Sequence, residues 1–103
     1  MGTEIANTIL KQLGGNRFIT MTGSKNFIAG SNYLTFKLTP NKAKATHMSI
    51  TLMPNDLYKI EAIKITNSKI HQMKRTVLTE RTMVYADHLQ STFKDITGLD
   101  THL

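Results

Sequence analysis

Histidine is the side chain best suited to proton chemistry near neutral pH, and the sequence holds four: His47, His71, His88 and His102. No two stand at the i, i+4 spacing that sets a pair of imidazoles on one helical face for a metal. There is no cysteine, which removes thiolate zinc sites, a disulfide framework and a cysteine nucleophile together. Seven carboxylates scattered along the chain offer little for a carboxylate metal site or a paired acid and base. Glu61 and Glu80 are a pair that a sheet could bring together. The nucleophile elbow, the phosphate loop and the dinucleotide-binding glycine pattern are all missing from the sequence. Gly14-Gly15 follows a predicted helix instead of opening one, so it reads as a C-cap and turn, not as a phosphate cradle. No enzymatic activity, cofactor or metal is expected, and a small nuclease using His47 or His71 is the least favoured reading.

Cationic groups are better supplied. Lys and Arg number 13 against 7 acids, a formal charge of +6 and a pI near 9.8. Between Glu4 and Asp56 there is no acid, and that stretch carries Lys11, Arg17, Lys25, Lys37, Lys42 and Lys44. A second acid-free stretch, Ala62 to Thr79, carries Lys64, Lys69, Lys74 and Arg75. From Glu80 onward the balance reverses, with Glu80, Asp87, Asp95 and Asp100 against Arg81 and Lys94. Such asymmetry favours an anionic partner. The candidate binding residues are Arg17, Lys25, Lys37, Lys42, Lys44, Lys69, Lys74 and Arg75. Most fall in predicted turns, where exposed cations neutralise phosphates without reading sequence. Phe18, Phe27 and Tyr33 could stack on bases from an open sheet face, although phenylalanines in such runs are better read as core. The methionines read as gap-filling core, with Met53 and Met73 placed where a patch for protein recognition could form.

Periodicity supplies the elements that must position these groups. Ile5, Ala6, Ile9, Leu10 and Leu13 form one apolar stripe, predicting a helix over residues 3–13 with Thr3 as cap and Gly14-Gly15 as its end. Residues 16–22, rich in threonine and large apolar side chains, read as strand-like, and 23–26 as a turn. A short apolar piece at 27–29 follows. Residues 33–39 and 47–53 alternate as half-buried strands, with Leu34, Phe36 and Leu38, then Met48, Ile50 and Leu52, pointing inward. Residues 57–66 read as a strand whose apolar parity changes near Glu61-Ala62, which suggests a β-bulge there. Residues 67–75 read as a basic connection and 76–81 as the last strand. Ala86, Leu89, Phe93 and Ile96 share a stripe, predicting a helix over 83–97, with Gly98 at its C′ position and Leu99 folding back on Phe93. The expected fold is an α+β two-layer single domain, residues 1–103, with an antiparallel meander of four to five strands and the two terminal helices packed on it.

A composition of 40% hydrophobic and 19% charged residues is too apolar for a disordered chain, and no apolar run approaches the ~20 residues of a membrane span. No signal peptide or myristoylation pattern opens the chain, so a cytoplasmic protein is expected.

Four stretches resemble a family of small, uncharacterised proteins encoded in tailed phages and prophages. They are Gln12-Leu13-Gly14-Gly15-Asn16-Arg17-Phe18-Ile19 with Met21-Thr22-Gly23 and Lys25-Asn26-Phe27; Leu34-x-Phe36-Lys37-Leu38; Ile50-Thr51-Leu52 with Asp56-Leu57-Tyr58; and Val84-Tyr85-Ala86-Asp87 leading to Thr97-Gly98-Leu99. The resemblance implies a phage or mobile-element origin, a host-cytoplasmic location and an accessory role, and it supplies no catalytic residues. Together these readings predict a non-enzymatic accessory protein. It would dock on a host or phage protein with an acidic or nucleic-acid-binding surface, with inhibition of a host nucleic-acid machine such as a defence system as one such role. The alternative is direct, largely sequence-independent binding of DNA or RNA.

Overall fold

The computed structural model describes residues 4–67 and 73–99. The chain forms α1 (Glu4–Leu13), α2 (Asn16–Thr22), β1 (Lys25–Ala29), β2 (Tyr33–Lys37), β3 (His47–Leu52), β4 (Tyr58–Asn67), β5 (Met73–Val84), a 3-10 turn (Ala86–His88) and α3 (Leu89–Thr97). The strands make one antiparallel sheet in the order β1-β2-β3-β4-β5, the predicted meander. The two-layer α+β architecture follows from the helical stripes: Ala6, Ile9 and Leu13 of α1 and Leu89, Phe93 and Ile96 of α3 are buried in one cluster with Leu34, Phe36, Met48, Ile50, Ile60 and Ala62 of the sheet. At the centre, the Phe18 ring meets those of Phe36 and Phe93 edge-on, with centroids 5.6 and 5.0 Å away. An exposed ion pair, Arg81 to Asp95 at 3.0 Å, ties β5 to α3.

Residues 16–22 are a helix, not the expected strand. Their β-branched residues lean toward extended backbone, but local propensity is a weak prior that burial overrides. Phe18 is wholly buried, and the short helix is closed at both ends. Gly15 opens it at φ 60, ψ −133, a conformation essentially restricted to glycine, and Gly23 closes it in the left-handed region with its N–H on the Ile19 carbonyl. Gly14 and Gly15 do cap α1, as their N–H groups reach the Leu10 carbonyl, yet Gly15 also begins α2. The Thr22 hydroxyl donates to the Phe18 carbonyl at 2.7 Å, and the Thr39 hydroxyl donates to the Thr22 carbonyl at 2.8 Å.

Other boundaries also move. Lys25 and Asn26, expected in a turn, begin β1, with Asn26 at φ 57 inside an irregularity between Lys25 and Ile28. Met83 and Val84 end β5 instead of starting a helix, and a 3-10 turn precedes α3. Residues 73–75, read as connection, are strand, and residues 68–72 lie outside the described residues, as do Thr3 and His71. No bulge interrupts β4. It pairs one-to-one with β3 from Tyr58 to Ile63, and the extra residues sit on β5, at Leu78 and around Met83 (φ 56). The parity change has a different cause: Ile60 and Ala62 face the helices, whereas Ile63 is 1% exposed on the other face. The C-terminal ending is as expected, with Gly98 at φ 76 and Leu99 packed against the core.

Gly30 is needed for its missing side chain. It begins the β1–β2 turn, and a Cβ there would stand 2.1 Å from the Tyr33 ring. Gly30→Ala is therefore expected to dislodge Tyr33 and cost about 1–3 kcal/mol in chemical denaturation, while an unchanged midpoint would show the ring free to swing away.

Candidate functional site

Strand alternation sorts the sheet into two faces. Phe36 and Leu38 enter the core, so Lys37 between them points to the face away from the helices. Register then builds a row across the sheet. Lys25 on β1 is the direct partner of Lys37 on β2, Lys37 of His47 on β3, His47 of Ile63 on β4, and Ile63 of Val77 on β5. Two lysines thus face each other across adjacent strands, an arrangement that destabilises a sheet unless something anionic relieves it. Among the described residues, neither has a carboxylate within 4.0 Å.

The same end of the sheet collects more charge. The β2–β3 connection, residues 38–46, carries Lys44, and Lys64, Lys74 and Arg75 lie where β4 and β5 run on past β3. Arg75 pairs with Ile65, on the face that holds Lys37, and Lys74 pairs with Thr66 on the opposite parity. Glu61 and Glu80 share the Lys37 face, one register row along from His47 and Ile63, and the other acids lie farther off. Asp56 and Asp87 sit at the opposite end, in the β3–β4 turn and in the 3-10 turn after β5. Glu61 and Glu80 do meet as register partners, with Lys59 Nζ 3.9 and 4.0 Å from their carboxylates. Asp95 is held by Arg81.

Not every predicted cation joins this group. Arg17 is exposed on α2, in the helical layer behind the sheet. Lys42 is engaged at the end of α3: its N–H donates to the Thr97 carbonyl at 3.0 Å, and its aliphatic stem lies 3.3 Å from a Cβ built on Gly98. A cation over a helix C-terminus is favourably placed. Lys69 lies outside the described residues. Phe18 is wholly buried and so closed to a ligand, Phe27 is half-buried against the core, and Tyr33 is 37% exposed and leans on Gly30.

His47 joins the row instead of an active site. Its Nδ1 lies 2.8 Å from the Thr46 hydroxyl, which also accepts the Ile65 N–H at 2.9 Å. Partial burial and the Lys37 ammonium hold the imidazole pKa below its ordinary 6.5, so His47 is neutral at neutral pH. The unfolded chain therefore binds this proton first. Stability contributed by the group is full above pH 6.5 and declines as pH falls through the window below it, down to the folded-state value. Lys37→Gln is expected to raise the His47 midpoint in an NMR titration of its ring protons, and no movement would mean that burial alone sets it.

In the sequence, His47 stands out only as a nuclease candidate. Its neighbour was legible all the same: Lys37 ends one alternating run and His47 begins the next, so closing that hairpin sets them opposite. Among the described residues, no group of three histidine, aspartate or glutamate side chains converges to hold a metal, and no helix is long and apolar enough to cross a membrane. Comparison with protein families, with curated proteins and with solved structures finds no match to this chain.

Proposed function

We propose that this protein acts by docking, not by turnover, and that its partner is a nucleic-acid strand whose phosphates lie along the basic end of the sheet. One observation carries the reading: Lys25 and Lys37 are register partners on an exposed face, continued by His47, with no carboxylate within reach among the described residues. Neighbouring strands are ~4.8 Å apart, so a row across the sheet presents closely spaced cations to a polyanion. Contacts of this kind supply affinity without sequence preference and weaken with salt.

The test is a fluorescence-anisotropy titration with DNA and RNA at increasing salt. Log K should fall linearly with log salt, by about 0.7 per phosphate contacted on a single strand. No binding at low salt sinks the reading.

A second reading is an accessory protein of phage type that docks on an acidic or nucleic-acid-binding protein of the host. What favours it is apolar exposure at the β5 end of the row, Val77 and Leu78 each being 41% exposed. Retention of a stoichiometric partner from nuclease-treated lysate, lost on Val77→Ser/Leu78→Ser, would select this reading over the first.

A further inference from the structure

The β2–β3 connection borders an open surface pocket of about 310 Å³, lined in part by Lys37, Leu38, Pro40, Lys44 and Ala45. That is the lower end of the range for small-ligand sites, enough for one compact group. The connection is held by Asn41. Its amide donates to the Thr39 and Ala45 carbonyls, each at 2.8 Å, and its side-chain oxygen accepts the Ala43 and Ala45 N–H groups. Lys44 is fixed in the left-handed region at φ 59, with its N–H on the Asn41 carbonyl.

These bonds limit what the pocket can hold. The N–H groups of Leu38, Lys42, Ala43, Lys44, Ala45 and Thr46 all donate within the protein. The Thr39 hydroxyl donates to Thr22, and the Thr46 hydroxyl is engaged by His47 and Ile65. A bare oxyanion would find none of these backbone N–H groups turned toward it, unlike the anion cradles formed by helix N-termini or nests. The pocket offers apolar walls from Leu38, Pro40 and Ala45, with two ammonium groups, Lys37 and Lys44, at hand. The complementary ligand is a compact group with an apolar face, carrying negative charge to one side.

We propose that this pocket receives one unpaired base of a single strand, with the adjoining phosphates on Lys37 and Lys44. The inference rests on the nucleic-acid reading above and narrows it to single-stranded nucleic acid. A base paired within a duplex cannot enter a pocket, so phosphate contact alone remains there, whereas an unpaired base also buries its face.

The test compares three labelled probes at one salt concentration: a short single-stranded DNA, the same strand with abasic sites, and its duplex. The single strand is expected to bind about tenfold or more tightly than either of the others. Its titration should also shift the backbone amide resonances of Leu38 and Ala45. Equal affinity for all three probes, or amide shifts confined to other parts of the chain, overturns the pocket and leaves phosphate docking standing. Absence of binding by every probe at low salt overturns both.

Discussion

Phe36→Ala is expected to lose about 3–5 kcal/mol of folding stability. The Phe36 ring is wholly buried and lies among three others, with centroids at 5.6 Å to Phe18, 5.2 Å to Phe27 and 6.3 Å to Phe93. It joins β2 to α2, α3 and β1, so truncation removes its own burial and also leaves a cavity whose walls belong to three other elements. Relaxation is hard because Phe18 is anchored by a seven-residue helix closed by glycines at both ends. Urea denaturation followed by circular dichroism measures the loss. A cost below about 1 kcal/mol would mean that the helices close over the gap, and that the ring cluster does not set their position.

The second large effect concerns binding. Lys25→Gln with Lys37→Gln should weaken nucleic-acid affinity about tenfold at low salt and reduce the salt slope by about 0.7 per contact removed. The two lysines oppose each other across β1 and β2, so relieving their repulsion should leave the folded protein as stable as before or slightly more so. Weaker binding with undiminished stability separates a ligand-contacting pair from a structural one. Arg17→Gln, on the helical layer, is the control expected to leave both affinity and slope unchanged. If the double variant bound as tightly as the parent, the row would not be the interface.

The parts of this fold that could be read in the sequence are those in which one physical signal dominates. The stripes of α1 and α3 and the alternation of β2 and β3 are burial patterns repeated over several residues, and they place those elements correctly. Residues 16–22 carry no such repeat. Their fate turns on Phe18 finding a place between Phe36 and Phe93, a long-range fact that local propensity does not hold. The parity change on β4 reads in the sequence as a bulge, and only the unbroken register with β3 shows instead a strand buried on both sides at Ile63. For the candidate site, the charge excess was visible and its convergence was not. Lys25, Lys37 and Lys44 gather because the meander brings their strand ends together, whereas Lys42 is diverted to the end of α3 by a backbone bond that composition cannot reveal.

The meander also has a bearing on how the chain reaches this state. Every strand pairs with the one before or after it along the polypeptide, so each hairpin closes over a short loop at small entropic cost and needs no distant partner. The seam between α1 and α3 is different: the Gln90 side chain donates to the Gln12 carbonyl, 78 positions away in the sequence. Docking of the two terminal helices over a preformed sheet is thus the step that must search farthest. Substitutions at this seam should act mainly on the unfolding rate and those within a hairpin on the folding rate, a division that stopped-flow chevrons on Gln90 and Ile50 variants would display.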